Sequence, residues 1–175
     1  MHEQLERSRV SVNLMSDHVT LKEYEEYLSA MRELTYFTEK EIFPGVAEVY
    51  PEVFSRVKLA WINEDLTVLG APPLTNYNAY TNISLPTLAE RIGWLYVVEG
   101  STLGGRMILK FLNGRLPQLQ QNGTRFLEGY GAETGSMWKG FLQFLSAYSI
   151  ENNKEEEVIA GATKAFEAIY LNFNA

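Results

Sequence analysis

The chain has 175 residues, of which 46% are hydrophobic and 21% charged, the composition of an ordinary globular protein. Its formal net charge is −7 and it has no basic stretch, which argues against binding to a nucleic-acid backbone. It has no cysteine, so disulfides, cysteine-ligated zinc and iron–sulfur clusters are excluded. No apolar run reaches the roughly 18 residues of a membrane span. The charged start "MHEQLERSRV" does not resemble a signal peptide, and we expect a cytoplasmic protein with no membrane partner.

Helical periodicity begins at residue 20 and continues through almost the whole sequence. Thr20 and Glu23 have the spacing of a capping box, which marks a helix start. Apolar residues follow every three or four positions and predict one buried stripe. They are Leu21, Tyr24, Leu28, Met31, Leu34 and Phe37. We expect Pro44 and Gly45 to end this helix.

Two further helices are predicted in the middle of the chain. One starts at Pro51, a residue that suits a first helical turn, and ends at Gly70. The polar segment 71–86 is rich in proline and asparagine and predicts a loop. A long helix then runs from about Pro86 to Leu112, with a second capping-box spacing at Thr87 and Glu90.

The last third of the chain is also helical. Residues 125–135 contain too many glycines for one long helix, whereas 136–148 and 155–173 show helical spacing. Acidic residues at 155–157 favour a helix start there. Because no strand pattern of comparable strength occurs, we predict an all-α fold of six to eight helices in a single domain over residues 1–175.

The long middle helix carries three glycines in its interior, Gly100, Gly104 and Gly105. Each costs up to about 1 kcal/mol relative to alanine. Residues four apart are neighbours on a helix, so one face would be bare over a full turn. Either a second helix packs unusually close to this face, or a broad flat ligand lies against the exposed backbone. The spacing alone leaves both interpretations open.

The segment "LYVVEGSTLGGRMI" resembles the distal-helix signature of the heme oxygenases, particularly those associated with bacterial phytochromes. The similarity continues in order along nearly the whole chain. "HEQLE" at 2–6 is similar to the segment with the proximal histidine. Three further segments resemble later parts of the family: "LKEYEEYLSAMRELTYFTEKEI", "YPEVFSRVKLAWINEDLTVLG" and "FLEGYGAETGSMWKGF".

The resemblance implies a set of site residues. His2 would be the axial ligand of the heme iron, since neutral imidazole suits oxygen chemistry. Gly100, Gly104 and Gly105 would lie over the open face of the heme. Lys139, otherwise a solvated helix residue, would pair with a heme propionate.

Ser101 completes the catalytic set implied by the family, together with Gly100 and Gly104. It stands where mammalian members have an acidic residue, and it would take part in a distal water network. Glu99 is either a buried carboxylate or a surface residue. His18 is expected to be a solvent-facing loop residue.

Other side chains are expected to have structural roles. Arg106 and Arg125 are expected at the surface and Tyr130 in the core. Several aromatic residues could wall a heme pocket, although ordinary core is the default interpretation of their helical spacing. They are Tyr36, Phe37, Trp138, Phe141 and Phe166.

The function implied by the resemblance is cleavage of heme to biliverdin, carbon monoxide and ferrous iron. Heme would be both substrate and cofactor, and O2 would be consumed. Electrons would come from an external ferredoxin or reductase, because the sequence has no nucleotide-binding motif. A phytochrome could accept the biliverdin.

Two alternatives come from the position of the ligand. Family members typically have two or more helical turns before this histidine, whereas only one residue precedes His2 here. We therefore expect weaker heme binding, or a ligand helix that becomes ordered only with heme. The alternatives are a protein that binds heme or biliverdin without degrading it, and a non-catalytic helical interaction domain.

Overall fold

A computed structural model describes residues 2–72, 74, 76–119 and 122–175, and of His2 the backbone only. These residues form eight α-helices, three short 3₁₀-helices and no strand, which confirms the all-α prediction. The α-helices are α1 His2–Glu6, α2 Arg9–Leu14, α3 over 21–46, α4 Leu59–Val68, α5 Leu88–Asn113, α6 Arg125–Glu128, α7 Thr134–Asn152 and α8 Glu155–Asn174. None of the helices in the described ranges is long and apolar enough to cross a membrane.

Helix α3 begins as predicted but ends later. The amide of Lys22 donates to Thr20 Oγ1 at 3.2 Å, and the amide of Thr20 donates to Glu23 Oε2 at 2.8 Å. The helix continues through Pro44 and Gly45, which were predicted to end it, and ends at Val46. A π-helical turn over Thr38–Ile42 precedes Pro44, and the α-helix resumes over Phe43–Val46. Pro44 is thus in the first turn of the resumed α-helical segment, a position that tolerates proline.

The segment after Pro51 is divided, rather than forming the single helix predicted from Pro51 to Gly70. A 3₁₀-helix spans Pro51–Arg56, and α4 starts at Leu59. The carboxylate of Glu39 on α3 accepts hydrogen bonds from the amides of Lys58 (2.6 Å) and Leu59 (2.9 Å). An acid nineteen residues away therefore caps α4, a contact that local sequence patterns do not reveal.

Helix α5 lies at the centre of the fold and is continuous through its three predicted interior glycines. Its capping box at Thr87 and Glu90 is confirmed. It packs along α8, and two other glycines make this crossing close. A Cβ on Gly93 would overlap the carbonyl oxygen of Val158, and a Cβ on Gly161 would overlap that of Glu90. Close helix packing therefore explains these two glycines, which the sequence analysis did not single out.

The core surrounds α5 and includes the predicted stripe of α3. Trp94 of α5 is fully buried and donates its indole N–H to Thr38 Oγ1 at 2.9 Å. Helix α6 begins where Asp65 of α4 accepts hydrogen bonds from the amides of Arg125 (2.9 Å) and Phe126 (2.8 Å). These contacts fix α5 between α3, α6 and α8, so that its remaining surface forms the candidate site.

Candidate functional site

One face of α5 is only partly covered by the protein. Gly100, Leu103, Gly104 and Met107 follow the i, i+3, i+4, i+7 spacing of a single helix face. Leu103 is 39% exposed and Met107 is 73% exposed. Apart from the two adjoining residues and the backbone of α5 itself, no described heavy atom comes within 4 Å of the position a Cβ would take on Gly104. We call these four residues the bare strip; it is apolar and extends about 10 Å along the helix.

Gly105 does not belong to this strip. It is buried, and an added Cβ would lie 3.3 Å from the carbonyl oxygen of Leu127 in α6. Each of the two interpretations of the glycines therefore applies to a different residue. Close packing accounts for Gly105, whereas Gly104 is open, as the ligand interpretation requires.

The Gly100 end of the strip faces α7. A Cβ on Gly100 would lie 3.5 Å from Cη2 and 3.8 Å from Cζ3 of Trp138, which is ordinary van der Waals contact. Lys139 follows directly and is exposed. Within the described residues Lys139 has no hydrogen bond or ion pair, so its ammonium group is available to an anion in solution.

Ser101 is half-buried beside the strip. Its hydroxyl donates to the carbonyl of Val98 at 2.7 Å, a bond within its own helix. In this rotamer the oxygen offers lone pairs to neighbouring groups but no hydrogen. Ser101 can therefore accept a hydrogen bond from water at this face without rearrangement.

A buried ion cluster lies directly behind the strip. Glu99 is 3% exposed and its carboxylate is paired with Arg56, and with Lys58 at 3.1 Å. Lys58 also donates to Thr102 Oγ1 at 2.8 Å, and the Tyr130 hydroxyl donates to Glu99 at 3.0 Å. Of the two interpretations of Glu99 given above, the structure supports the buried carboxylate.

The protonation states of this cluster follow from its contacts. Burial alone would raise the pKa of the Glu99 carboxyl, but Lys58 and Arg56 outweigh it, and the pKa lies below the ordinary value of 4.5. Burial and the Glu99 carboxylate raise the pKa of the Tyr130 hydroxyl. At neutral pH the Glu99 carboxyl is therefore ionised and the Tyr130 hydroxyl is protonated.

The sequence analysis missed most of this cluster. Arg56 and Lys58 both lie in the family-like segment that begins at Tyr50, but the resemblance assigned no role to either. Tyr130 was expected to be an ordinary core residue. The spacing contains no signal for the cluster, because its members are 31 to 44 residues from their partners in sequence.

Other predicted residues lie away from the strip or outside what is described. Arg125 is not simply a surface residue: its guanidinium lies 3.8 Å from the ring centroid of Trp61 and donates to the carbonyl of Gly129. Arg106 and His18 are exposed, as expected. The side chain of His2 lies outside the described residues, and the structure gives only that His2 begins α1.

Most of the aromatic candidates are in the core or pair with one another. Phe141 is fully buried. Tyr36 stacks on Tyr77 with ring centroids 3.7 Å apart, and Phe37 packs on Trp94. Trp138 lies beside Gly100 of the bare strip.

Comparison with known proteins identifies the family. The family model described as heme oxygenase matches residues 1–174. The chain is 35% identical over 125 residues to heme oxygenase PigA of Pseudomonas aeruginosa, covering 70% of this chain and 61% of that protein. It is 33% identical over 111 residues to a heme oxygenase of Xanthomonas campestris pv. campestris, covering 63% of this chain and 64% of that protein.

A solved structure shows the same fold. It is a heme oxygenase from Neisseria meningitidis in NO- and CO-bound forms, with a TM-score of 0.75, 23% identity, and coverage of 98% of this chain and 88% of that one. The chain matches less than two thirds of the length of each curated relative. The chain belongs to the heme oxygenase family.

Proposed function

We propose that this protein is a heme oxygenase that opens heme to biliverdin, carbon monoxide and ferrous iron. The observation that carries the proposal is the bare strip: an apolar, partly exposed helix face whose central glycine has open space above it. This face suits a broad flat apolar ring, and family membership names heme as that ring. The family assignment also favours degradation over binding alone.

Heme, when bound, supplies both the iron that activates O2 and the ring that is opened. His2, the first residue of α1, would hold the heme through its imidazole. Gly104 would bring backbone, rather than a side chain, to the heme, and Gly100 would border it beside Trp138. The absence of a Cβ at residue 104 would leave room for O2 near the heme.

Ser101 and Lys139 would act at the border of the strip. The Ser101 oxygen would accept a hydrogen bond from an ordered water and orient it toward the strip. Because Glu99 stays ionised and Tyr130 stays protonated near neutral pH, water rather than the buried cluster would deliver protons there. Lys139 would attract a propionate as a point charge, with looser orientation than an arginine would give.

Several further properties belong to the proposal. The chain would act as a single domain over residues 1–175, in the cytoplasm. A ferredoxin or a reductase would supply the electrons, and a phytochrome would be a candidate acceptor of the biliverdin. We assign Gly105 to packing against Leu127 rather than to heme contact.

The test is titration with hemin under argon, followed by reductant and air. A sharp Soret band that is lost in His2→Ala, and a biliverdin spectrum after air is admitted, are the expected results. Gly104→Leu should keep a native helical circular dichroism spectrum and make no biliverdin, because the leucine fills the space over the strip.

Gly114→Leu is the matched control for that substitution. Gly114 caps the same helix ten residues further on, and apart from its own neighbours along the chain no described heavy atom lies within 4 Å of its Cβ position. Its variant should bind and degrade heme as the wild type does. Undiminished biliverdin production by Gly104→Leu, or a broad free-heme spectrum with the wild type, would refute the proposed function.

A further inference from the structure

The bare strip is open at one end and closed at the other. Toward Met107 the helix face is exposed, and at Gly104 the space is open. At Gly100 the edge of the Trp138 indole stands at van der Waals distance from the position of a Cβ. A flat ring on this face can therefore shift toward Met107, but the indole stops it at Gly100.

The indole is held firmly enough to act as a stop. Its ring lies 5.5 Å from that of Tyr96 on α5 and 6.1 Å from that of Phe141, which is fully buried on α7. Because rings are packed on two sides, a change of Trp138 rotamer would have to displace one of them. The packing of the protein itself thus holds Trp138 at the Gly100 end of the bare strip.

The ion cluster connects α5 and α7 next to Gly100 and Trp138. Arg56 donates to the backbone carbonyl of Met137, directly before Trp138, at 3.0 Å. The same guanidinium is paired with Glu99, directly before Gly100. One buried arginine therefore connects the residue before the stop to the residue before the glycine that faces it.

We propose that Trp138 is a specificity-determining residue that fixes how a flat macrocycle is seated along α5, with Arg56 and Glu99 as positioning residues behind it. The proposal rests on the proposed function, since heme is the macrocycle. Which edge of the ring lies over Gly104 depends on how the ring is rotated about the axis perpendicular to its plane; we call this rotation the seating. Because Trp138 blocks the space at Gly100, one seating fits best. The seating then selects the carbon at which the ring is opened.

The experiment compares Trp138→Ala and Trp138→Phe with the wild type, each as its ferric hemin complex with cyanide. The hyperfine-shifted heme methyl resonances in the proton NMR spectrum report the seating without turnover. We expect one dominant rotational seating in the wild type. In Trp138→Ala the share of minor seatings should rise about tenfold, which corresponds to about 1.4 kcal/mol. Trp138→Phe keeps a flat ring at the stop and should restore most of the preference.

Phe144→Leu is the matched control. Phe144 is a half-buried aromatic residue six positions further along α7, stacked on Tyr50 with centroids 4.2 Å apart. Its loss should leave the seating unchanged. Glu99→Gln, which weakens the hold on Arg56, should shift the seating in the same direction as Trp138→Ala but less.

The outcomes separate this proposal from the function on which it rests. If Trp138→Ala binds hemin with the seating of the wild type, the stop is refuted while the proposed function stands. If the wild type forms no hemin complex, both fail, and the missing Soret band identifies the cause. When the complexes are reduced in air, chromatography of the biliverdin isomers should show a mixture from Trp138→Ala wherever NMR shows mixed seatings.

Discussion

At the scale of single residues, the ion cluster behind the strip carries the largest consequence for stability. Glu99 is buried with two cations, so its charge is compensated only while both partners are in place. Removing one charged member of such a cluster leaves the remaining charges buried without a counter-charge. The cluster is therefore expected to be sensitive even to a change that preserves shape.

Glu99→Gln should lower the free energy of unfolding by about 3–5 kcal/mol at pH 7, because Arg56 and Lys58 lose their buried counter-charge. The folded-state pKa of Glu99 lies below 4.5, so its stabilisation is present above that pH and is lost as the pH falls through the folded-state pKa. Urea unfolding of both proteins between pH 7 and 3 should show the difference shrinking below pH 4.5. Parallel curves over this range would contradict the assignment.

The glycines of α5 make a second comparison at this scale, because they have opposite surroundings. Gly93→Ala should destabilise the protein by about 1–3 kcal/mol, since the methyl group would overlap the Val158 carbonyl. Gly104→Ala should instead stabilise it by up to about 1 kcal/mol, because alanine favours the helix and the space is open. Urea unfolding measures both. Equal destabilisation by the two changes would mean that residue 104 is packed.

At the scale of elements, carboxylates from distant parts of the chain start two of the helices. Glu39 caps α4 and Asp65 caps α6. Helix α6 is only four residues long, too short to be stable by itself, and thus depends on this contact. The position of α6 in turn sets the packing at Gly105, through the Leu127 carbonyl.

Asp65→Asn should lower the free energy of unfolding by about 1–3 kcal/mol, because one of two acceptor oxygens becomes an amide that faces a backbone N–H. Hydrogen exchange should be faster at whichever of the Arg125 and Phe126 amides then faces the asparagine NH2 group, because that amide loses its acceptor. Glu64→Gln, at the exposed neighbouring position, is the control and should change neither quantity. Unaltered exchange at both amides in Asp65→Asn would show that α6 does not depend on the cap.

At the scale of the whole molecule, α8 connects the predicted ligand helix to the bare-strip helix. Helices α1 and α2 pack on α8, and α8 packs along α5. The amide of Arg9 donates to Asn174 Oδ1 at 3.0 Å, and its guanidinium donates to the Ala175 carbonyl at 2.9 Å. The first turns of the chain are thereby joined to its last residues.

Asn174→Ala should loosen this connection without unfolding the protein, because the bond from Arg9 and the bond to the Tyr170 carbonyl are both exposed and each is worth about 1 kcal/mol or less. Faster hydrogen exchange in α2 is the expected result, together with faster release of hemin if α1 carries the ligand. Asn152→Ala, which loses only a bond to Tyr148 within α7, is the control. Identical exchange of α2 in the two variants would show that the connection is not needed.

Local patterns predicted the elements well and the site only in part. Capping boxes at Thr20 and Thr87 and the apolar periodicity are short-range features, so the helices that they mark could be located from neighbouring residues alone. Pro44 was misjudged because its effect depends on the hydrogen-bond pattern of the preceding turn. The family segments indicated the glycine helix, but not which of its glycines faces open space.

The sequence by itself therefore determined the helical class, most helix starts and the family, because these depend on residue spacing along one chain segment. Only the tertiary structure decided that Gly104 is open while Gly105 is packed, that Glu99 is buried between Arg56 and Lys58, and that Trp138 stands at Gly100. Each of these depends on which side chains from distant segments meet in space. A helix face is bare or covered according to its neighbours, and its own residues specify only the spacing.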